Sequence, residues 1–350
     1  MSDAGDILEG IRLIRESARG IACPGETRRT RALRFTETGF DRETWRGIAA
    51  MGWLGLRVPE SAGGAGLSMR EYIALAEMLG AGLVPEPVVL AAMAASALRG
   101  DALAAALAGE RVTLPAWAEN ADTLAVGTAT TVGARVDGQK RFVPMAAGAD
   151  AFVVAGHGGL ALVDARGPGV AIERAATQDG GHVGTVTFGN APAEPLPGTL
   201  DAAIEEAALA TAAMLLGVME QAFALTLSYL RTREQFGRRI GGFQALQHRA
   251  ADLAMAIALT RASLEAAAAT LDAGAAPAEV RAAVSRAKAR ASEAAMRVTR
   301  EAIQLHGGIG YTDEYDAGLY LRRAMVLANR FGGVAVHRAR FAALAPEEDS

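Results

Sequence analysis

The sequence predicts a mainly α-helical protein with a central β domain, because the hydrophobic period changes twice along the chain. Helical periodicity with short turns fills residues 1–109, short β-branched segments fill 110–199, and long helical periods return over 200–350. These segments predict an N-terminal helical domain, a small β-barrel or sandwich, and a C-terminal four-helix bundle.

Composition and charge limit the classes of protein to which the chain can belong. Of its 350 residues 51% are hydrophobic and 21% charged, which is enough to bury a large core. The net charge of -4 argues against a nucleic-acid-binding protein, which needs a basic excess to neutralise phosphates. The single cysteine, Cys23, excludes an internal disulfide and a cysteine-based metal site, and no metal site is predicted.

The sequence also argues against a membrane protein. Residues 1–6 lack the basic segment that begins a signal peptide. No uninterrupted apolar run reaches the ~18 residues that a membrane-spanning helix needs. Together with the cysteine content, this leads us to expect a protein of the reducing cytoplasm with no membrane segment.

Two helix starts in the N-terminal segment are marked by capping residues. Asp41 precedes an amphipathic stretch that ends near Gly52, and Ser68 precedes a helix predicted to reach Leu79. In the next segment, six to eight short strands are predicted between residues 111 and 188. There Asp137-Gly138 lies between apolar segments, which predicts a hairpin turn.

The C-terminal segment predicts helices at 201–232, 243–272, 276–306, 316–329 and 334–345. The first is apolar on nearly every face, so it must be buried on most sides by its neighbours. It leads into a basic stretch that we call the elbow, Arg231-Thr-Arg-Glu-Gln-Phe-Gly-Arg-Arg239. Gly237 within the elbow and Gly241-Gly242 just after it break the helix. Alone, such a basic stretch equally indicates a solvated helix end that complements the helix dipole.

A second motif favours a functional interpretation of the elbow. Gln304-Leu-His-Gly-Gly-Ile-Gly-Tyr311 follows one long helix, and Asp316-Ala-Gly-Leu-Tyr-Leu-Arg-Arg-Ala324 comes soon after. Together with the elbow, these stretches resemble the acyl-CoA dehydrogenase family, and the resemblance covers essentially the whole chain. It implies that the elbow and the glycine turn of one subunit clasp the pyrophosphate and adenosine end of FAD held mainly by another. The residues this assigns are Arg233, Phe236, Gln304, Gly307 and Gly308.

The residue types suit that assignment. A guanidinium can meet the two negative charges of a pyrophosphate with paired hydrogen bonds, which is the role expected of Arg233. Gln304 offers an amide to the adenosine half, and glycines at 307, 308 and 310 lack the β-carbon that would hold a ligand away from the backbone. A purely structural alternative stays open, in which the glycines only turn the chain and Arg233 pairs with an acid.

The catalytic base of the family is not in its usual place. The resemblance implies a Glu a few residues after the Leu-Arg-Arg-Ala type segment, which removes the α-proton of an acyl-CoA. Phe331 stands there, and a phenyl ring cannot accept a proton. A smaller group of relatives places the Glu on the helix before the elbow. The matching position is Ala207, with Glu206 one residue early and rotated by about 100°, so Glu206 is expected to be solvated or to cap its helix.

The β domain departs from the family pattern as well. Phe142 occupies the position of the aromatic residue that contacts the flavin ring, but Pro144 replaces the neighbouring threonine. Proline has neither a hydroxyl nor an N–H to offer the flavin. The preceding loop, residues 115–122, also lacks the Gly-Ser-Asp type segment of active members. The half of the site that would perform the chemistry therefore lacks several groups that the resemblance implies.

This asymmetry predicts the catalytically silent, short subunit of a bacterial heteromeric acyl-CoA dehydrogenase. The resemblance then implies a homologous Glu-bearing partner subunit in a heterotetramer, FAD as cofactor, and an acyl-CoA such as a steroid side-chain ester as substrate. It also implies electron-transfer flavoprotein as the acceptor. Two alternatives stay open: a self-sufficient homo-oligomeric dehydrogenase that uses Glu206 or another acid, and a structural relative that binds no flavin.

Overall fold

A computed structural model describes residues 2–344, which form an array of helices interrupted by strands. The first six helices are α1 Ser2–Ala18, α2 Arg28–Leu33, α3 Arg42–Ala50, α4 Met69–Ala81, α5 Val88–Ala95 and α6 Gly100–Leu107. The strands that follow are β1 Thr113–Ala116, β2 Thr131–Val132, β3 Arg135–Pro144, β4 Ala151–Gly156, β5 Gly159–Asp164, β6 Val170–Ala176, β7 His182–Pro192 and β8 Glu194–Leu196. The last elements are α7 Asp201–Thr232, β9 Glu234–Gln235, β10 Arg238–Arg239, α8 Gln244–Asp272, α9 Pro277–His306, α10 Gly308–Tyr311, α11 Ala317–Asn329 and α12 Val334–Leu344.

The predicted order of helices, strands and helices is confirmed. Helices α7, α8, α9, α11 and α12 begin and end within one or two residues of the predicted bounds, although residue 345 lies outside the described residues. Asp41 caps α3, since its carboxylate accepts a hydrogen bond from the Thr44 N–H at 2.7 Å. Ser68 and Glu71 form a reciprocal capping box at α4, with backbone-to-side-chain distances of 2.8 and 3.3 Å.

The described residues divide into two compact units, each built from several chain segments. One unit, which we call the helical unit, comprises residues 2–28, 73–84 and 208–344. The other, the mixed unit, comprises residues 29–72 and 85–207 and contains all of β1 to β8. The proposed domain boundaries near residues 109 and 199 follow the order of the elements and stay a prediction.

The strands between residues 110 and 199 form two four-stranded sheets, with strand orders β1-β4-β5-β8 and β2-β3-β7-β6. The predicted hairpin turn at Asp137-Gly138 is wrong. The chain turns earlier, between Val132 and Arg135, because Val132 pairs with Val136 across the β2–β3 hairpin. Gly138 instead marks a register shift of β3 against β7, where a β-carbon would lie 2.8 Å from the Thr130 backbone.

Helix α7 is buried as its apolar sequence predicts, and every residue from Ala207 to Met219 is buried. Within the helical unit two glycines allow α4 and α7 to approach closely. A β-carbon on Gly217 would lie 1.9 Å from the Glu77 carbonyl oxygen, and one on Gly80 would lie 2.0 Å from the Met214 carbonyl oxygen. Each helix therefore presents a bare backbone to the other at this crossing.

Two helices, α7 and α8, are long and apolar enough to cross a membrane by length and mean hydropathy alone. Neither is an uninterrupted apolar run, since Glu220 interrupts α7 and Arg261 interrupts α8. The most apolar window of α7 is 72% buried in the chain, which is typical of a core helix. The corresponding window of α8 is only 33% buried. Most of this window of α8 is therefore not buried within the chain.

The glycine crossing predicts a large effect of a single substitution. Gly217→Val would force β-branched atoms into the α4 backbone, so we expect the free energy of unfolding to fall by about 3 kcal/mol or more. Gly5→Ala is the matched control, because a β-carbon there meets nothing within 4 Å, and it should change stability by less than about 1 kcal/mol. Urea denaturation of both variants measures this, and equal effects would contradict the crossing.

Candidate functional site

The elbow is a minimal β-hairpin that projects from the end of α7. Strands β9 and β10 pair antiparallel, and the two residues between them, Phe236 and Gly237, both have positive φ, at 55° and 75°. Two positive φ values in succession define a type I′ turn. The turn holds the Phe236 side chain 90% exposed, with its ring edge-on to Phe243 at 6.2 Å.

Four of the five predicted cofactor residues line one cavity of about 660 Å³ in the helical unit. They are Arg233, Gln304, Gly307 and Gly308, and Phe236 lies outside the lining. The backbone of Arg233 is held by bonds to Tyr229 and Ile240, at 2.8 and 2.9 Å, whereas its guanidinium makes no hydrogen bond or ion pair with any described residue. The cavity thus brings a free cationic group and an amide to the same surface.

The glycines at the end of α9 open that cavity. Gly307 caps α9 with φ 65°, and a β-carbon at Gly307 or Gly308 would meet nothing within 4 Å. The positive φ of Gly307 requires a glycine for the turn itself, whereas nothing in the local packing requires one at Gly308; at both positions the bare backbone is accessible to a ligand. A guanidinium, an amide and bare backbone are the groups that a dinucleotide pyrophosphate and its adenosine would use.

Sequence reasoning quoted His306 within its motif but gave it no role. The His306 ring is buried, donates from Nδ1 to the Ala302 carbonyl at 2.6 Å, and stacks on Tyr229 with centroids 4.6 Å apart. Burial lowers the pKa of His306, so the neutral ring accepts a bond from the Tyr315 hydroxyl at 3.1 Å. His306 and Tyr229 thus form one wall of the cavity. Only the tertiary contacts could reveal this role.

Phe331 lies in the loop between α11 and α12, which buried polar groups hold in place. Its ring is 5% exposed and its φ is 55°. His337 donates from Nε2 to the Phe331 carbonyl at 2.7 Å, and buried Lys288 donates to the Gly332 carbonyl at 3.2 Å. The loop therefore presents backbone carbonyls to the interior and no carboxylate at position 331.

Glu206 is neither solvated nor a helix cap, so that expectation is wrong. Its two carboxylate oxygens accept hydrogen bonds from Arg57, at 2.6 and 3.1 Å. The pair lies in the mixed unit, on the wall of a cavity of about 440 Å³ that Ala207 and Tyr72 also line. Although Glu206 and Ala207 differ by 100° in direction, both border this cavity because it is broad. Arg57 therefore engages both oxygens of Glu206 with charge-assisted hydrogen bonds.

The strand β3 carries the residues expected at the flavin ring. Its register against β7 shifts between Lys140 and Val143, so Phe142 lies in a bulge with φ 57° and is 42% exposed. The Arg141 guanidinium lies 5.2 Å from the Phe142 ring centroid. Pro144 follows in the strand, paired with Val183, and contributes no N–H. The aromatic side chain is accessible here, but the donor that the family uses is lacking.

A buried ion pair fixes the loop in front of this strand. Lys140 is fully buried and donates to Glu119 at 2.6 Å and to the Gly127 carbonyl at 2.8 Å. Burial acts to raise the pKa of Glu119, but hydrogen bonds from Lys140 and from the N–H groups of Ala129 and Thr130 outweigh it and lower the pKa to about 2. The loop is therefore stabilised by a buried charge pair.

Comparison with known proteins identifies the family. Residues 9–106 match the family "Acyl-CoA dehydrogenase, N-terminal domain", and residues 199–344 match "Acyl-CoA dehydrogenase, C-terminal domain". The chain belongs to the acyl-CoA dehydrogenase family. It is 32% identical over 327 residues to acyl-CoA dehydrogenase FadE27 of Mycobacterium tuberculosis, which covers 87% of this chain and 88% of that protein.

Two solved structures of this acyl-CoA dehydrogenase fold are close neighbours. A Tcur3481-Tcur3483 steroid ACAD superposes with a TM-score of 0.86 at 33% identity, over 97% of this chain and 98% of that one. The ChsE4-ChsE5 complex from Mycobacterium tuberculosis superposes with a TM-score of 0.84 at 28% identity, over 98% of each chain. This family consists of FAD-dependent oxidoreductases. The fold predicted from the sequence is confirmed.

The Glu119–Lys140 pair predicts a specific acid sensitivity for this dehydrogenase relative. A carboxyl whose pKa falls from 4.5 to about 2 on folding stabilises the fold above pH 4.5, and that contribution is lost as the pH falls toward 2. We expect Glu119→Gln to lower the free energy of unfolding at pH 7 by about 3 kcal/mol and to flatten its decline in acid. Glu110→Gln, at an exposed carboxylate, is the control. Denaturant titrations between pH 2 and 7 measure the free energy of unfolding of both variants. The same dependence on pH in both would contradict the prediction.

Proposed function

We propose that this chain is the non-catalytic subunit of a heteromeric acyl-CoA dehydrogenase, and that it completes the FAD site of a Glu-bearing partner subunit. The observation that carries the proposal is an asymmetry between two sets of residues. The elbow cavity is lined by Arg233 and Gln304, while Phe331 and Pro144 stand where the resemblance expects the catalytic base and the ring-side donor. Such a chain can supply FAD-binding groups to the active site of a neighbouring subunit, but it lacks the catalytic groups for an active site of its own.

The exposed state of the elbow supports a role in trans. Phe236 is 90% exposed at the tip of its hairpin, so its ring is available to contact another surface or a ligand. The Arg233 guanidinium, without a partner among the described residues, adjoins the same hairpin. In the proposed complex Arg233 binds the pyrophosphate, Gln304 and the backbone at Gly307 and Gly308 bind the adenosine end, and Phe236 lies against the flavin or ribose. When bound, FAD supplies the oxidation of the acyl-CoA; the residues of this chain hold and orient it.

The residues at the expected catalytic positions support a non-catalytic role. A general base needs an oxygen aimed at the proton that it removes, whereas both oxygens of Glu206 accept hydrogen bonds from Arg57. Phe331 offers no proton acceptor at all. The bulged strand that carries Phe142 lacks the N–H at Pro144. Each feature independently weakens the chain as an enzyme of its own.

The structural neighbours favour a second subunit and a substrate class. Two of them are described as the ChsE4-ChsE5 complex and as a Tcur3481-Tcur3483 steroid ACAD, both named for two chains. By this likeness the substrate is a bulky acyl-CoA such as a steroid side-chain ester. A third neighbour, with a TM-score of 0.82 and 26% identity, is described as an electron transferring flavoprotein of Acidaminococcus fermentans. We accordingly assign the electron-transfer flavoprotein class as the acceptor of the whole complex.

One observation favours a self-sufficient enzyme as the second candidate. Glu206 borders a cavity with apolar walls, in the mixed unit, where an acyl chain could lie. If Glu206 were the base, the purified single chain would oxidise acyl-CoA esters with an artificial acceptor, and Glu206→Gln would abolish that turnover. The silent-subunit proposal predicts no turnover by either chain.

Arg233→Ala is the direct test of the elbow. Because a charge at a helix end contributes only about 0.3 to 1 kcal/mol to stability, the variant should remain folded by circular dichroism. Loss of a charge-assisted bond to the pyrophosphate should cost about 1.5–3 kcal/mol of FAD binding, or roughly 10- to 150-fold in affinity. Arg231→Ala is the matched control, since Arg231 is exposed two residues away but does not line the cavity. Equal flavin absorbance in both co-purified complexes would show Arg233 to be a solvated helix end only.

The FAD stoichiometry tests the division of labour. If each flavin lies between the ring-binding face of one chain and the elbow of another, two copies of this chain and two of its partner should hold about two FAD per four chains. Flavin absorbance against protein mass from light scattering measures the ratio on the co-purified complex. A ratio near four, or an active homotetramer of this chain alone, would contradict the proposal and indicate that its β domain hosts flavin.

A further inference from the structure

The helical unit contains a second cavity, between α8, α9 and α12, that shares no lining residue with the elbow cavity. Its volume is about 410 Å³, which lies within the range of about 300–1,000 Å³ typical of small-molecule sites. Four of the residues that line it are arginines, Arg286, Arg290 and Arg297 of α9 and Arg338 of α12. We call this cavity the basic groove.

Two of these arginines have acid partners, but the pairs are exposed. Arg338 pairs with Glu293 at 2.6 Å, and Arg297 pairs with Asp252 at 3.3 Å. All four side chains are more than half exposed, so water screens both pairs and each contributes little to stability. Each guanidinium donates to its carboxylate through one nitrogen only, which leaves most of its five N–H donors available to a ligand.

The other two arginines, Arg286 and Arg290, have no acid beside them, and we call them the free arginines. Both are exposed, and their guanidiniums make no hydrogen bond or ion pair with any described residue. They are four residues apart on α9 and so are neighbours on its surface, where like charges destabilise a helix. Glu293 is the only acid among the described lining residues, and it is already paired. Four guanidiniums against two carboxylates leave an excess of two positive charges, which an anion with two negative charges would neutralise.

Buried contacts on α9 hold the free arginines in place. Lys288, which lies between them in sequence, is buried and donates to the Gly332 carbonyl at 3.2 Å. Ser285 is also buried, and its hydroxyl accepts a bond from Arg340 Nε at 2.6 Å. A helix anchored in this way has a fixed rotation, because interiors are close-packed and tolerate little displacement. The free arginines are therefore positioned before any ligand binds.

Most of the remaining lining of the basic groove is apolar and consists of Phe341 and alanines of α8 and α9. From this combination we infer that the basic groove binds a phosphate monoester of a small organic molecule, with its phosphate on Arg286 and Arg290 and its organic part against Phe341. A phosphate monoester carries a charge of about −1.5 to −2 at pH 7, which matches the excess charge of the groove. Guanidiniums bind phosphate oxygens with paired hydrogen bonds. This site is separate from the elbow cavity and goes beyond the proposed function.

Isothermal titration of the full chain with phenyl phosphate tests the inference. This probe joins a dianionic phosphate monoester to one aromatic ring, and it lacks the adenosine that the elbow cavity is proposed to bind. Arg286→Gln with Arg290→Gln should weaken its binding at least about tenfold, because charge-assisted hydrogen bonds are lost. Benzoate, which has the same ring but a single charge, should bind more weakly than phenyl phosphate. Inorganic phosphate should also bind more weakly, and Phe341→Ala should remove that difference.

Two control variants separate the basic groove from other cationic surfaces. Arg281→Gln with Arg300→Gln makes the same charge change at exposed arginines of α9 that do not line the groove, and it should leave the affinity for phenyl phosphate unchanged. Arg233→Ala, in the elbow cavity, should also leave it unchanged. The inference is overturned if wild type does not bind the probe, or if both double variants lose affinity equally. Loss of binding in Arg233→Ala alone would overturn it as well, because the phosphate would then lie at the elbow.

The acidic residues that follow α12 in sequence require a further variant. Glu347, Glu348 and Asp349 lie outside the described residues, so the charge excess of the groove refers only to residues 2–344. Glu347→Gln with Glu348→Gln and Asp349→Asn removes all three carboxylates from the full chain, and we expect it to bind phenyl phosphate with the affinity of wild type. Binding by this variant together with no binding by wild type would overturn the inference, because these carboxylates would then be the groups that neutralise the groove.

Discussion

The close crossing of α4 and α7 is the constraint on which the helical unit depends. With no β-carbon at Gly80 or Gly217, each backbone contacts the other directly, and the neighbouring residues of α7 become fully buried. A helix buried on all sides has a fixed axis and a fixed rotation, because interiors are close-packed and tolerate little displacement. The end of α7 is therefore a rigid support, and the elbow that continues from it presents Arg233 and Phe236 in defined positions.

The buried and half-buried ion pairs named above serve the fold, whereas some exposed arginines have no acid partner among the described residues. Buried Lys140 is neutralised by Glu119, and Glu206 is held by Arg57, so these carboxylates act as structural ligands of cations. By contrast, the guanidiniums of Arg233, Arg286 and Arg290 have no acid among the described residues, although Arg297 and Arg338 beside the last two are paired. Desolvating a charge without a partner is unfavourable, so a stable chain keeps such groups at the surface, where a ligand or another protein can pair with them.

The same contrast separates the two halves of the expected active site. Where relatives place groups that perform chemistry, this chain places a phenyl ring, a proline and an arginine-bound glutamate, all of which suit stable packing. Where relatives hold the far end of the cofactor, it keeps polar groups without internal partners. Under the proposed non-catalytic role, these positions are free to carry residues that stabilise the fold.

The sequence by itself determined the order of elements, the bounds of the long helices and the capping residues, because these depend on local periodicity and on hydrogen bonds within a few residues. It also identified Phe331 and Pro144 as departures, since side-chain chemistry is independent of the fold. Only the tertiary structure decided that Glu206 meets Arg57, that Gly138 forms a bulge, and that His306 braces the elbow cavity. Those partners are distant in sequence, and a helical period specifies which residues share a face but not what the face meets. The convergence of Arg286 and Arg290 of α9 with Arg338 of α12 around one cavity is likewise a result of tertiary packing.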